Sequence, residues 1–194
     1  MRIAEITRKT KETNITISLN LDGQGKADID VPSGFFRHML ELFTFHAGFD
    51  MRLSAAGDAD VDLHHTVEDT AICIGQALRK ALREREGIRR YGSFVIPMDE
   101  ARAAVHLDIS GRPYCKTEGT LPRGKSGDFE TELLPEFLRA FSQHGGITLH
   151  LVIEAGDNLH HILEAVFKAL ARALREAVSL TGEAGVPSTK GALD

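Results

Sequence analysis

A chain of 194 residues, 42% apolar and 26% charged, with 18 glycines and no tryptophan, has the length and composition to bury the interior of one compact domain. Its formal net charge of −5 and pI near 6.0 argue against a nucleic-acid binder, although Arg83, Arg85, Arg89 and Arg90 cluster closely enough to meet a small anionic ligand. Cys73 and Cys115 form no CxxC pair, the start MRIAEITRKTKETNI lacks the apolar run of a signal peptide, and no stretch resembles a transmembrane helix, so a cytoplasmic protein without disulfides is expected.

The first half begins with alternation. In NITISLNL, Ile15, Ile17, Leu19 and Leu21 face one way, which predicts a half-buried strand. DGQGK supplies a turn and KADIDV a second strand. A helix fits from about Gly34 to Phe45, with Phe36, Met39, Leu40 and Phe43 on one face. FDMRLSAAG returns to strand, and Asp62 is placed to cap a long helix running through HHTVEDTAICIGQALRKALRE. In the second half SFVIPM, RAAVHLDIS and CKTEGT read as strands, ELLPEFLRAF as a helix and ITLHLVIEAG as a strand. Asn158 then caps a second long helix, HHILEAVFKALARALREAV, and the tail GEAGVPSTKGALD reads as loop.

The order of elements repeats, and so do particular residues. FFRHMLELFTFHAGFDMRLSAAGDADVDLHH aligns with PEFLRAFSQHGGITLHLVIEAGDNLHH, with a short deletion before the paired histidines. Asp62 falls on Asn158, His46 on His144 and His38 on Glu136. This is a duplicated α/β half-domain, about 1–90 and 91–194, too long for a solenoid unit; helices following strands in both halves predict two sheets with four helices gathered between or against them, sharing one core.

HHTVED and HHILEA place two histidines and a glutamate at equivalent points of both halves. On a helix, residues four apart share a face, so His64 can share an ion with Glu68, and His160 with Glu164. His65 and His161 point about 100° further round and would serve another ion, or one held elsewhere in an assembly. Two metal centres in each copy fit this pattern, with His38 and Glu136 as further ligands. Imidazole and carboxylate without thiolate suit Mn, Fe, Co or Zn in a catalytic site. A single HHxxE could equally be a solvated helix face; two copies in register favour metal.

The other polar residues have ordinary readings when taken singly. His106 and His150 sit in strand patterns, and His46 and His144 near helix C-termini. Arg112 in DISGRPY and Lys190 in PSTKGAL lie in loops, Lys168 follows His160 by two helical turns, and Glu12 in KTKETNI reads as a strand surface residue. A Ser-Thr-Lys loop can also hold a phosphate through hydroxyls, backbone N–H groups and a point charge.

HHTVED, HHILEAVFKALARAL, FFRHMLELFTFHAGFD, DISGRPY and PSTKGAL, in this order and spacing, resemble the imidazoleglycerol-phosphate dehydratase family of histidine biosynthesis in its monofunctional form. The resemblance implies an α/β (α+β) fold with a four-helix bundle between two four-stranded sheets, assembled into trimers and a 24-subunit homo-oligomeric shell with metals at subunit contacts. It implies two Mn(II) ions per active site, one held by His38, His65, His160 and Glu164, the other by His64, Glu68 and His161. The remaining ligand in several members is a histidine where this sequence has Glu136, a departure that puts that corner of the site in doubt. Glu12 matches the catalytic glutamate, and His46, Arg90, Arg112, Lys168, Ser188, Thr189 and Lys190 match substrate-binding positions for a small phosphorylated imidazole. A dimetal hydrolase of a phosphorylated metabolite, or a non-catalytic metal-assembled shell, would use the same histidines. Neither predicts Glu12, Arg112 and Lys190 together.

Overall fold

The computed structural model describes residues 1–58 and 60–193. Its first half runs β1 (Ile3–Lys9), β2 (Thr13–Asn20), β3 (Ala27–Asp30), α1 (Gly34–Ala47), β4 (Asp50–Gly57) and α2 (His64–Leu82). The second half runs β5 (Tyr91–Met98), β6 (Ala101–Asp108), β7 (Tyr114–Gly119), a short hairpin of β8 (Lys125–Ser126) and β9 (Phe129–Glu130), α3 (Leu133–Gly145), β10 (Thr148–Ala155) and α4 (Leu159–Val178). One sheet has the order β1-β2-β4-β3 and the other β5-β6-β10-β7. In each, the last pair is parallel and the others antiparallel, so both halves fold to one topology.

Helices α1 and α2 lie against the first sheet, α3 and α4 against the second, and the layers meet where α1 packs on α4 and α2 on α3. The expected helices between two four-stranded sheets are therefore present. Alternation in β2 buries Ile15, Ile17 and Leu19, while α1 buries Phe36, Met39, Leu40 and Phe43, the Phe36 ring meeting Phe137 of the other half edge-on. Each of these large apolar groups contributes about 1.5–3 kcal/mol by leaving water. The α2–α3 crossing depends on Gly75, where a Cβ would stand 2.8 Å from both the Phe141 carbonyl oxygen and the Gly145 nitrogen. No helix among the described residues is long and apolar enough to cross a membrane.

Four details depart from the sequence reading. Strand β1 was not expected: Ala4 is its one buried residue, too small to mark a buried face. Glu12 lies in the turn between β1 and β2 rather than on a strand. The N-cap of α2 is Leu63, which caps nothing with its apolar side group; Asp62, one residue earlier, accepts the His64 N–H at 2.7 Å. Its equivalent in the repeat, Asn158, does sit at the N-cap of α4 and accepts from the His160 and His161 N–H groups.

The fourth is the β8–β9 hairpin, which caps α1 from the other half. Asp128 in its turn accepts from the Ser33 hydroxyl at 2.7 Å and from the Gly34 N–H at 3.1 Å, while the Ser33 oxygen accepts from the Phe36 N–H. Partial burial pushes the Asp128 carboxyl up, but the Ser33 and backbone hydrogen bonds outweigh it and hold the group below its ordinary 3.8. Asp128→Ala is expected to cost about 1 kcal/mol in urea unfolding at fixed protein concentration. Because the folded-state value is depressed, this stabilisation is present above pH 3.8 and is lost as pH falls below it, so wild type and variant should converge in acid.

Candidate functional site

The N-terminal ends of α1 and α4 bring His38, His160 and Glu164 together, with one ligand atom from each lying within 4.8 Å of the others. Glu164 is the centre of this cluster. Its Oε2 stands 3.2 Å from His160 Nε2 and 3.6 Å from His38 Nε2, and its Oε1 accepts from Lys168 Nζ at 2.5 Å. Burial of Glu164, which is 7% exposed, raises its carboxyl pKa; the Lys168 hydrogen bond and charge, with His160, more than offset this and hold it below the ordinary value. The carboxylate is thus kept charged in a half-closed site, facing two imidazole nitrogens. It is the only group of three or more His, Cys, Asp or Glu residues among the described residues that could hold a metal ion.

The second histidine of each pair turns away, as helical geometry requires. His65 Nδ1 lies 3.0 Å from Asp58 Oδ2, and His161 Nδ1 lies 2.7 Å from Glu100 Oε2. The Asp58 hydrogen bond raises the His65 pKa, aided by the charges of Glu12, Asp58 and Asp62, and Glu100 does the same for His161. Glu100 in turn is lowered to about 2, first by His161 and then by the N–H of Asn158. Sequence analysis singles out neither Asp58 nor Glu100. The signal available was position, since each stands beside the paired histidines only when the repeat is folded.

His64 and Glu68 share a face of α2, as expected, and His64 lines a cleft with Asp62, Asp128, Glu130 and Glu132. Glu136, the departure from the family pattern, is not brought into a metal cluster; its carboxylate pairs with Arg139 one turn along α3. Glu12 is exposed, and its carboxylate takes no hydrogen bond among the described residues.

A second group of expected residues does converge. Arg90, Arg112, Ser188, Thr189 and Lys190 line one pocket between the sheet end and the terminal loop. Arg90 ties this loop down: its guanidinium donates to both Asp108 oxygens, at 2.7 and 3.1 Å, and to the Pro187 carbonyl at 2.9 Å. Lys168 and His46 lie elsewhere. Lys168 is on Glu164, and His46 borders a cleft with Gln24, Arg172 and Arg175. Burial and then the Lys168 and Arg172 charges lower the His46 pKa, so this ring favours the neutral form. The helix ends next to His46 and His144 are closed by Gly48 and Gly146 in left-handed conformations.

The metal cluster and the pocket sit at opposite ends of α4. The Arg90 N–H donates to the Ala177 carbonyl, and the 17 steps of helix from His160 to Ala177 span about 25 Å.

Comparison with known proteins places this arrangement. The family model described as imidazoleglycerol-phosphate dehydratase matches residues 31–174. Curated relatives of that name include one from a Jannaschia species, 54% identical with the full length of both proteins covered, and one from Bacillus licheniformis, 50% identical over the same extent. Among solved structures, the Staphylococcus aureus imidazoleglycerol-phosphate dehydratase superposes with a TM-score of 0.83 at 41% identity, covering 92% of the present sequence and 99% of its own. A Pyrococcus furiosus structure gives 0.85 at 38% identity, covering 97% and 100%. This chain therefore belongs to the imidazoleglycerol-phosphate dehydratase family and is a hydro-lyase of histidine biosynthesis.

Proposed function

We propose that this enzyme turns imidazole glycerol phosphate into imidazole acetol phosphate with two Mn(II) ions per active site, in active sites completed by neighbouring copies of the protein. The observation that carries this reading is the convergence of His38, His160 and Glu164 on one point. Two imidazole nitrogens and a charged carboxylate are a donor set for a borderline-to-hard divalent ion, and Mn(II) fits it. His65 would complete this ion, while His64, Glu68, His161 and Glu136 would hold the other. When bound, the ions supply positive charge that stabilises the substrate imidazole after loss of its ring proton.

The remaining chemistry falls to the protein's own residues. The reaction breaks a C–H bond in the glycerol arm of the substrate and expels the neighbouring hydroxyl as water, and the resulting enol relaxes to the ketone. Glu12, exposed and without a competing hydrogen bond, is free to take and return a proton. Arg112, Ser188, Thr189 and Lys190 would bind the phosphate, with Arg90 holding their loop in place. Lys168 would contact substrate at the cluster end, and His46, whose ring favours the neutral form, would do so from the cleft it borders with Arg172 and Arg175. The substrate is far shorter than the about 25 Å of helix between cluster and pocket, so the two ends would meet substrate only across a contact between copies. That supports the shell assembly expected from the family, and a cytoplasmic location belongs to the same reading. Family membership decides against the hydrolase and the inert shell.

Chelator-stripped protein given imidazole glycerol phosphate should form imidazole acetol phosphate when Mn(II) is restored and none without it. Equal turnover in both conditions would overturn the metal part of the reading.

A further inference from the structure

We propose that Asp58 and Glu100 are positioning residues that fix the tautomer of His65 and His161, and that their different places in the two repeats leave Glu12 free for proton transfer. The inference rests on the reading of the paired histidines as metal ligands. Superposing the repeat by topology makes Glu12 and Glu100 equivalents: each immediately precedes the first residue of the second strand of its sheet, Thr13 in β2 and Ala101 in β6. Asp58 and Asp157 are equivalents too, closing AAGD at 55–58 and EAGD at 154–157, with the bulge between Ile153 and Ala155 absorbing the one-residue offset.

Each half therefore offers two carboxylates to one imidazole, and the halves choose differently. In the second half Glu100 takes the His161 Nδ1–H at 2.7 Å with Oε2, while its Oε1 accepts the Asn158 and Asp157 N–H groups at 2.9 and 3.3 Å. In the first half the acid after the sheet does the work, Asp58 Oδ2 standing 3.0 Å from His65 Nδ1. Here the Asp58 N–H donates to the Glu12 backbone carbonyl at 3.1 Å, which fixes the Glu12 backbone while its carboxylate stays free. A carboxylate on Nδ1 places the ring proton there and leaves the Nε2 lone pair outward for an ion. Among the described residues, His161 Nε2 meets only the exposed Asp99 carboxylate at 3.7 Å, too long for a hydrogen bond. One ancestral arrangement thus serves two roles: at one position the glutamate orients a ligand, and at its equivalent an aspartate has taken over that task.

Glu100→Gln is the sharp test, because a single amide oxygen cannot accept both from the backbone N–H pair and from Nδ1–H. If the amide NH2 faces Nδ1, the imidazole proton moves to Nε2 and the ligand lone pair is lost. Metal-stripped wild type, Glu100→Gln, Asp58→Ala and Glu12→Gln would be titrated with Mn(II), with free ion followed by electron paramagnetic resonance and helix content by circular dichroism. Glu100→Gln and Asp58→Ala are each expected to weaken Mn(II) binding about 10–100-fold with helix content retained, and Glu12→Gln to titrate like wild type. Wild-type affinity in folded Glu100→Gln overturns the proposal, as does an equal loss in Glu12→Gln. Should Glu100→Gln lose its helix, Asp58→Ala decides by the same criterion. Wild type that takes up no Mn(II) would instead sink the metal reading beneath it.

Discussion

Glu12→Gln is expected to lower kcat by about 10²–10⁴-fold, the range that general acid–base catalysis contributes, while the protein folds and takes up metal normally. The substitution keeps the size and polarity of the residue and removes only its ability to carry a proton. The fold tolerates it, because Glu12 is exposed in a turn and no described residue hydrogen-bonds its carboxylate. The turn itself is held by other groups: the Thr10 hydroxyl accepts from the N–H groups of Glu12 and Thr13. A fall in kcat with KM nearly constant would mark a group that acts in the transition state. Turnover at the wild-type rate would remove Glu12 from the chemistry and return it to an ordinary exposed turn residue.

How far the sequence could be read depended on whether a feature was periodic. Alternation in NITISLNL and the apolar face of FFRHMLELF declared β2 and α1 directly, because burial on one side is written into every second or every third and fourth residue. The duplication fixed the two-sheet plan, and spacing four apart placed His160 with Glu164. What escaped was non-periodic. Strand β1 buries only Ala4, and the β8–β9 hairpin owes its place to the Asp128 contacts with Ser33 and Gly34, a pairing nearly a hundred positions apart that no local pattern records. The carboxylates on His65 and His161 were hidden for the same reason: a turn acid acquires its role only when the fold closes. The repeat offered both His38 and its equivalent Glu136 as further ligands; of the two, His38 joins the cluster, because α1 packs on α4, while Glu136 pairs with Arg139.

Mixing two inactive variants should restore activity, and this is the strongest test of the shared site. His65→Ala and Glu164→Ala are each expected to lose activity by at least ~10²-fold, since each removes a proposed ligand of the same ion. Within one copy these residues do not meet: Glu164 faces His38 and His160, whereas His65 is turned to Asp58. An ion with the octahedral preference of Mn(II) has places beyond the three donors of His38, His160 and Glu164, and His65 from a neighbouring copy would fill one. In an equal, random co-assembly, roughly a quarter of the sites pair an intact His65 with an intact Glu164, so the mixture should regain activity toward that fraction while neither parent does. Co-assembly is verified independently by a size tag on one variant. Mixed particles that contain both variants yet remain as inactive as their parents would mean that both ligands come from the same copy, and the assembly would then be a container for complete sites rather than the means of making them. Recovery would explain why neighbouring histidines face opposite ways: every copy holds one imidazole for its own ion and one for its neighbour's.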